Sequence, residues 1–123
     1  MRLFISGSAP LSSIDHQDFY QKTGHTILER YGMTETNMNT SNPYEGERKP
    51  GSVGLPLPDV QIRITEGNSK IPLPAKEVGM IQVKGPNVFS SYWNNDQANQ
   101  KSFTDDGFFI TGDLGYIDQD GYV

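Results

Sequence analysis

The sequence predicts an α/β fragment, in which the strand–helix–strand end of a parallel-sheet subdomain is followed by a small antiparallel β-barrel-like subdomain. In residues 2–31, two short apolar runs flank a stretch with helical spacing, and a right-handed crossover would make the two strands parallel. From Pro50 onward, short segments alternate between apolar and polar residues, as half-buried antiparallel strands do. The 13 glycines and 8 prolines indicate frequent turns between these segments.

The first half divides into three elements. The segment "RLFIS" predicts a short buried strand over residues 2–6. Ser12 suits a helix N-cap with Asp15 in the first turn, and Gly24 suits a left-handed stop, so we predict a helix over residues 13–23. The segment "HTILERY" predicts a second strand. Because one helix and two strands cannot cover both faces of a parallel sheet, we expect the chain to be an internal piece of a longer protein.

The second half is predicted to be mostly antiparallel. The segments "VQIRI" and "GMIQVKG" alternate as strands, and "NNDQANQKSF" indicates a short helix. The segment "FFITGDLGYIDQDGYV" predicts a hairpin whose two strands flank a "DQDG" turn. We place the boundary in the loop around residues 38–50, which divides the chain into subdomains 1–49 and 50–123.

Composition excludes several functional classes. The net charge is −5 and the ten basic residues are scattered, whereas a nucleic-acid surface needs clustered lysine and arginine. The chain has no cysteine for a disulfide framework, which suits a cytoplasmic protein. It shows no signal peptide and no apolar run near the roughly 18 residues of a membrane span. We therefore expect neither nucleic-acid nor membrane partners.

Small and charged side chains follow the second predicted strand, in "ILERYGMTETNMNTS". Parallel sheets bind ligands beyond the carboxyl ends of their strands. Residues 32–36 and the turn of residues 7–10 should therefore lie side by side and leave a slot for a planar base. Thr34 offers a hydroxyl to a phosphate, and Glu35 offers the oxygen ligand that Mg²⁺ prefers. The alternative is an ordinary turn-rich loop.

Three segments, in this order, resemble motifs of the adenylate-forming enzymes, which include acyl-CoA synthetases, peptide-synthetase adenylation domains and luciferases. "SGSAPL" resembles their adenine-side turn, "YGMTE" their core motif, and "TGDLGYIDQDGYV" their later Gly-Asp motif. The wider string "LERYGMTETNMNTSNPYEGERKPGSVG" is similar to the malonyl-CoA synthetase branch. The resemblance implies that residues 1–49 end an AMP-binding α/β subdomain. Residues 50–123 would form the antiparallel subdomain of the same large N-terminal domain.

The resemblance also implies roles for individual residues. Thr34 would contact the α-phosphate and Glu35 would hold Mg²⁺, which makes these two the candidate catalytic residues. Tyr31 would stack on the adenine. Asp113 would accept hydrogen bonds from the ribose hydroxyls, although an aspartate in such a turn can also be a simple cap. The residues implied to bind the nucleotide are Ser8, Ala9, Pro10, Glu29, Arg30, Tyr31, Gly32, Met33, Thr34 and Asp113.

The implied reaction uses ATP and coenzyme A: a carboxylate is converted to an acyl-adenylate and then to a CoA thioester. Arg30 indicates the substrate, because its guanidinium would pair with a second carboxylate and thus favours malonate or methylmalonate. Alternatively, Arg30 forms a salt bridge with Glu29 or another acidic residue. The protein would then be a monocarboxylate, fatty-acyl or peptide-synthetase adenylating enzyme. A separate alternative is that the segment is a non-catalytic binding or assembly module.

The family's Lys-bearing triphosphate loop and its C-terminal lysine are not found in this sequence, so we expect the isolated chain to be inactive. A piece with unpaired sheet edges is also expected to associate artificially. His16 and His25 are expected to be surface or structural residues. Phe89, Tyr92 and Trp93 are expected to form a local apolar cluster.

Overall fold

The computed structural model describes residues 3–123, so Arg2, in the predicted first strand, lies outside the described residues. The chain forms two compact units. The first comprises the described residues up to Leu57 together with Tyr122 and Val123, and the second comprises Pro58–Gly121. The units thus divide at Leu57 and Pro58, eight residues after the predicted boundary between residues 49 and 50. Within residues 3–123, no helix has the length and apolar character needed to cross a bilayer.

The first unit is built on a four-stranded mixed sheet with the order β1-β2-β3-β4. Strands β1 and β2 are parallel, and β3 and β4 are each antiparallel to the preceding strand. The elements of this unit are β1 (Ile5–Ser6), α1 (Ser13–Thr23), β2 (Leu28–Met33), β3 (Asn37–Ser41) and β4 (Leu55–Pro56).

Helix α1 begins and ends where the sequence predicted. The Ser12 side chain accepts a hydrogen bond from the Asp15 backbone N–H at 3.0 Å, which satisfies one of the free donors of the first turn. Gly24 ends the helix at φ 73°, and its N–H donates to Tyr20 O at 2.8 Å. His16 is buried against Ile27 O, at 3.1 Å from its Nε2. It is therefore a structural residue, as expected.

Two strands differ from their predicted form. The described part of the first predicted strand contains only two paired residues, and Ile5 is 50% exposed, so this strand is not the buried one that was expected. Strand β2 continues through Gly32 to Met33, and the predicted loop that follows contains β3. The polar residues of "NMNTS" concealed this strand, because apolar alternation is the usual signal for one.

The second unit contains a three-stranded antiparallel sheet with the order β5-β6-β7, which confirms the predicted antiparallel subdomain, although this sheet does not close into a barrel within the described residues. Its most buried apolar side chains come from all three strands. Phe89 packs on Tyr92, Phe103 and Phe109, but Trp93 is 91% exposed, so its predicted place in the apolar cluster is wrong. The elements of this unit are β5 (Gln61–Thr65), β6 (Gly79–Lys84), α2 (Asp96–Ser102) and β7 (Phe109–Gly115).

The predicted hairpin at the end of the sequence does not form. Strand β7 ends at Gly115, and Tyr122 and Val123 belong to the first unit. Val53 N–H donates to Val123 O and Val123 N–H donates to Gly54 O, both at 2.9 Å. The "DQDG" turn is present, with Gly121 N–H bonded to Asp118 O at 3.1 Å, but it does not join two paired strands.

Candidate functional site

The "YGMTE" segment forms the tip of a β-hairpin. Thr36 N–H donates to Met33 O at 3.1 Å, which closes a turn whose two central residues are Thr34 and Glu35. Asn37, the first residue of β3, has φ 54°, and a left-handed residue after such a turn is a common way to begin the returning strand. The local structure therefore presents the Thr34 hydroxyl and the Glu35 carboxylate together at one end of the sheet.

Gly32 is required by the close approach of the two hairpin strands. The register of β2 against β3 shifts between Tyr31 and Gly32. A Cβ atom at Gly32 would collide with the backbone oxygen of Asn37, and no flexible side chain could move aside to make room. The glycine thus allows the bulge that sets the direction of the hairpin tip.

A cavity of about 650 Å³ lies in the first unit, between the hairpin and the turn that follows β1. Because β1 and β2 run parallel, with Ser6 paired with Glu29, the turn after β1 lies beside Arg30. The residues that line the cavity are Ile5, Gly7, Ser8, Arg30, Gly32, Met33, Thr34, Glu35, Asn37 and Met38.

Arg30 brings an unmatched positive charge to this cavity. Its Nε is buried without a hydrogen-bond partner, and none of the ion pairs within residues 3–123 involves Arg30. The expected alternative, a salt bridge between Arg30 and Glu29, is therefore absent from the described structure. A guanidinium presents five donors in a rigid fork that suits a carboxylate. The cavity is thus suited to bind an anionic group at Arg30.

Glu29 lies on the same strand but is not among the cavity-lining residues. It is only 5% exposed, and burial raises the pKa of its carboxyl group. A hydrogen bond from the Gly51 backbone N–H and the charge of His16 oppose this rise in pKa. Its Oε1 has no hydrogen-bond partner.

The other predicted nucleotide-binding residues are distributed more widely. Ala9, Pro10 and Tyr31 are also not among the cavity-lining residues. Tyr31 is half-buried, and its Oη donates to Met33 Sδ at 4.0 Å. Asp113 lies on β7 of the second unit, where it is exposed and its backbone N–H donates to Thr111 Oγ1 at 3.1 Å.

A family comparison agrees with this geometry. A profile described as "AMP-binding enzyme" matches residues 1–93, about three quarters of the chain. The chain belongs to the AMP-binding enzyme family. It is 47% identical over 122 residues to a malonate–CoA ligase of Arabidopsis thaliana, covering 99% of this chain and 19% of that protein. The chain thus spans about a fifth of the length of this curated relative.

Two solved structures match the fold of this chain over nearly its whole length. ATP-bound MatB from Rhodopseudomonas palustris is 61% identical with a TM-score of 0.97, over 100% of this chain and 24% of that one. A malonyl-CoA ligase with methylmalonyl-CoA and AMP bound is 49% identical with a TM-score of 0.87. That match covers 98% of this chain and 26% of the ligase.

The predicted metal ligand is the Glu35 carboxylate at the tip of the hairpin. Within the described part of the chain, no three acidic or histidine side chains converge as a metal site. Mg²⁺ in nucleotide enzymes is commonly held by one or two carboxylates, with phosphate and water oxygens completing its shell. A single carboxylate at Glu35 fits that pattern.

Two residues of the cavity, Asn37 and Met38, were not predicted from the sequence. Asn37 and Met38 line it because β3 folds back along β2, whereas this stretch was expected to be a loop. A signal was present in the sequence: "TETN" is a polar turn that ends in asparagine, which tolerates the left-handed conformation better than most residues. A returning strand after such a turn would bring the next residues back to the same cavity.

Proposed function

We propose that this chain is part of a longer ATP-dependent acid–thiol ligase that converts malonate or methylmalonate to its CoA thioester through an acyl-adenylate. Its two units would both belong to the large N-terminal domain of that enzyme. The relatives described above, one with ATP bound and one with methylmalonyl-CoA and AMP bound, support ATP and coenzyme A as co-substrates. A cytoplasmic location remains a prediction of the sequence.

The Arg30 side chain carries the substrate proposal. A buried guanidinium nitrogen without a partner, beside a cavity, is costly unless a ligand supplies the missing acceptor. An apolar acyl chain has no acceptor to offer. A dicarboxylate has one carboxylate to react and a second to pair with Arg30, which fits malonate and methylmalonate.

The hairpin tip would bind the phosphates. The Thr34 hydroxyl would donate to the α-phosphate, and Glu35 would hold a Mg²⁺ ion that, when bound, neutralises phosphate charge. The adenine would lie against the turn of Ser8, Ala9 and Pro10 and the backbone of Arg30 to Met33, with Tyr31 stacked on the base. Asp113 would accept hydrogen bonds from the ribose hydroxyls.

Two half-reactions would follow. In the first, one carboxylate oxygen of the substrate attacks the α-phosphorus, the bond to the β-phosphate breaks, and pyrophosphate leaves. In the second, the sulfur of coenzyme A attacks the acyl carbon, the thiol proton is released, and AMP leaves. No protein nucleophile is needed for either step, so the role of these residues is to position the reactants and stabilise charge.

Pyrophosphate release tests this proposal in the full-length protein that contains the chain. Malonate, methylmalonate, acetate and octanoate are compared as substrates, for wild type and for Arg30→Met, which keeps an unbranched apolar side chain but removes the guanidinium and its charge. We expect malonate or methylmalonate to lead. The substitution should lower kcat/KM for that substrate by roughly 10- to 100-fold, since a hydrogen bond to a charged group is worth about 1.5–3 kcal/mol. Acetate turnover should be little affected.

The opposite pattern would contradict the substrate assignment. If octanoate or acetate leads and Arg30→Met changes little, the protein activates a monocarboxylate and Arg30 is structural. If no carboxylate releases pyrophosphate from ATP, the segment belongs to a non-catalytic binding module.

A further inference from the structure

Strand β7 departs from regular pairing with β6 in the segment that contains Asp113. Three residues of β7, Thr111 to Asp113, stand opposite one residue of β6, Ile81. Such a bulge interrupts the ladder of backbone hydrogen bonds and bends the strand that carries the extra residues. The regular pairs that flank this stretch are Gln82 with Ile110 and Met80 with Leu114.

Gly112, at the centre of the bulge, has a left-handed backbone with φ 83°. Residues with a Cβ atom rarely adopt this conformation, whereas glycine does so at little cost. No atom lies within 4 Å of the position that a Cβ would take, so the conformation and not a lack of space calls for glycine here. The bulge therefore has a defined backbone form, and bulges of this kind redirect the side chains next to them.

The Thr111 side chain bridges the bulge. Its Oγ1 donates to Ile81 O at 2.8 Å and accepts from Asp113 N–H at 3.1 Å. A hydroxyl can do both, since it has one donor and two acceptor lone pairs. The bridge through Thr111 thus connects the main chain of Asp113 to β6 where the regular ladder is interrupted.

The two ends of this bridge differ in exposure. Ile81 is 5% exposed and lies on β6, the central strand of its sheet. Gly112 and Asp113 are exposed, and Thr111 lies between these extremes. Exposed segments with little packing around them open most easily. The bridge therefore fixes an exposed segment to a buried strand.

We propose that Thr111 is a positioning residue for the nucleotide, whose hydroxyl bridge holds the β7 bulge so that the Asp113 carboxylate meets the ribose hydroxyls of ATP. This inference rests on the proposed function, in which Asp113 binds the ribose. Hydrogen bonds weaken steeply when their angles are poor, so the orientation of this carboxylate matters. A displacement of about 1 Å can cost on the order of 100-fold in rate, so Thr111 affects the reaction without touching the substrate.

Kinetics of the full-length protein test this role with Thr111→Val, which keeps the branched shape but removes the hydroxyl. It should raise KM for ATP about tenfold, while KM for malonate changes by less than about twofold. Thr111→Ser keeps the hydroxyl and should retain most of the wild-type KM for ATP. The matched control is Thr65→Val on β5, which removes a buried hydroxyl that donates to Gly67 O at 2.9 Å.

The analogue 2′-deoxy-ATP makes the test specific for the ribose, because it lacks one of the two hydroxyls. Wild type and Thr111→Ser should prefer ATP in kcat/KM, and Thr111→Val should lose most of that preference. An equal loss of kcat/KM with both nucleotides in Thr111→Val, or a matching loss of preference in Thr65→Val, would overturn the positioning role.

Hydrogen exchange without nucleotide gives a readout that does not depend on catalysis. Mass spectrometry of the peptide that spans residues 110–116 should show faster exchange in Thr111→Val and wild-type exchange in Thr111→Ser and Thr65→Val. Unchanged exchange in Thr111→Val would overturn the bridge. Faster exchange with an unchanged KM for ATP would overturn its role in nucleotide binding.

The two proposals fail in different ways. A protein that releases no pyrophosphate from ATP would overturn the proposed function and this inference with it. If Asp113→Ala keeps the preference for ATP over 2′-deoxy-ATP, the ribose role of Asp113 and the inference are both wrong, while the ligase reaction stands. A preference that Asp113→Ala removes and Thr111→Val keeps would overturn the inference alone.

Discussion

Adjacent side chains on β2 carry opposite charges and yet do not pair with each other. Only Arg30 lines the cavity, whereas Glu29 is buried and its Oε1 has no hydrogen-bond partner. An internal salt bridge would have satisfied both groups and removed the positive charge from the cavity. Its absence leaves Arg30 available to a ligand and makes Glu29 a costly residue for stability.

The pH dependence of the free energy of unfolding should show the cost of burying the ionised Glu29 carboxylate. Burial raises the pKa of its carboxyl group, so the folded state binds this proton more tightly than the unfolded state does. The contribution of this carboxyl group to the stability of the fold is therefore fully present below about pH 4.5. It is lost as the pH rises through the pKa that the group has in the folded state. We expect Glu29→Gln to be more stable than wild type in chemical denaturation at pH 7.5, with the difference shrinking near pH 4.

Asp106 in the second unit serves as a control, because the change in stability expected on its substitution has the opposite sign. Arg63 donates to both of its carboxylate oxygens, at 2.7 and 3.0 Å, and these bonds hold the pKa of Asp106 well below its usual range. Such a group stabilises the fold above the unfolded pKa, and this contribution is lost as the pH falls through the folded pKa. Asp106→Asn should therefore be less stable than wild type at pH 7.5. The same sign of change in both variants would contradict this account.

At the scale of elements, the β2–β3 hairpin determines the candidate site. The sequence predicted that the polar residues lie beyond the end of a parallel strand. In the structure they instead form a turn between two antiparallel strands. This hairpin depends on the close contact between Gly32 and the backbone of Asn37. A side chain at position 32 would force the two strands apart.

Gly32→Ala should therefore destabilise the protein by about 1–3 kcal/mol, the typical cost of overpacking, and should abolish turnover because the hairpin tip moves. Thermal denaturation and pyrophosphate release measure the two effects. Gly7→Ala is the matched control, since its Cβ would lie at an ordinary 3.5 Å from Arg30 O, and it should leave the melting temperature nearly unchanged. Equal melting temperatures for the two variants would refute the steric argument.

Elements with local signals could be predicted from the sequence, and elements defined by distant contacts could not. Ser12 and Gly24 predicted α1 correctly, because a cap and a left-handed stop act on their own neighbours. Strand β3 was missed, because its buried Asn39 and Thr40 do not give an apolar pattern. The hairpin predicted near Gly121 was wrong, because the final residues pair with Val53 and Gly54 far away in sequence.

For the molecule as a whole, the proposed function requires more charged groups than the candidate residues supply. Thr34, Glu35 and Arg30 line one cavity of the first unit. The resemblance to adenylate-forming enzymes implies two further lysines, one in a triphosphate loop and one in a mobile domain, and neither motif is found in the sequence. Charge stabilisation by such groups is commonly worth several kcal/mol, or about 100-fold or more in rate.

The purified 123-residue chain should therefore give no ATP- and malonate-dependent pyrophosphate, whereas the full-length protein under the same conditions should. Circular dichroism of the chain would verify that it is folded before the assay. Measurable acyl-adenylate formation by the chain alone would show that the residues described here are sufficient for the first half-reaction.

The return of Val123 to the first unit has a consequence for the order of folding. Ser52 Oγ donates to Val123 O at 2.6 Å, across a separation of 71 residues, and the whole second unit lies between these two positions in the sequence. Forming a contact across so long a loop is entropically costly while the intervening chain is disordered. The second unit should therefore fold before this contact forms, and its folding would shorten the effective loop. The β2–β3 hairpin and α1 could form early and locally, with the pairing of Val53 and Gly54 to Val123 as a late event.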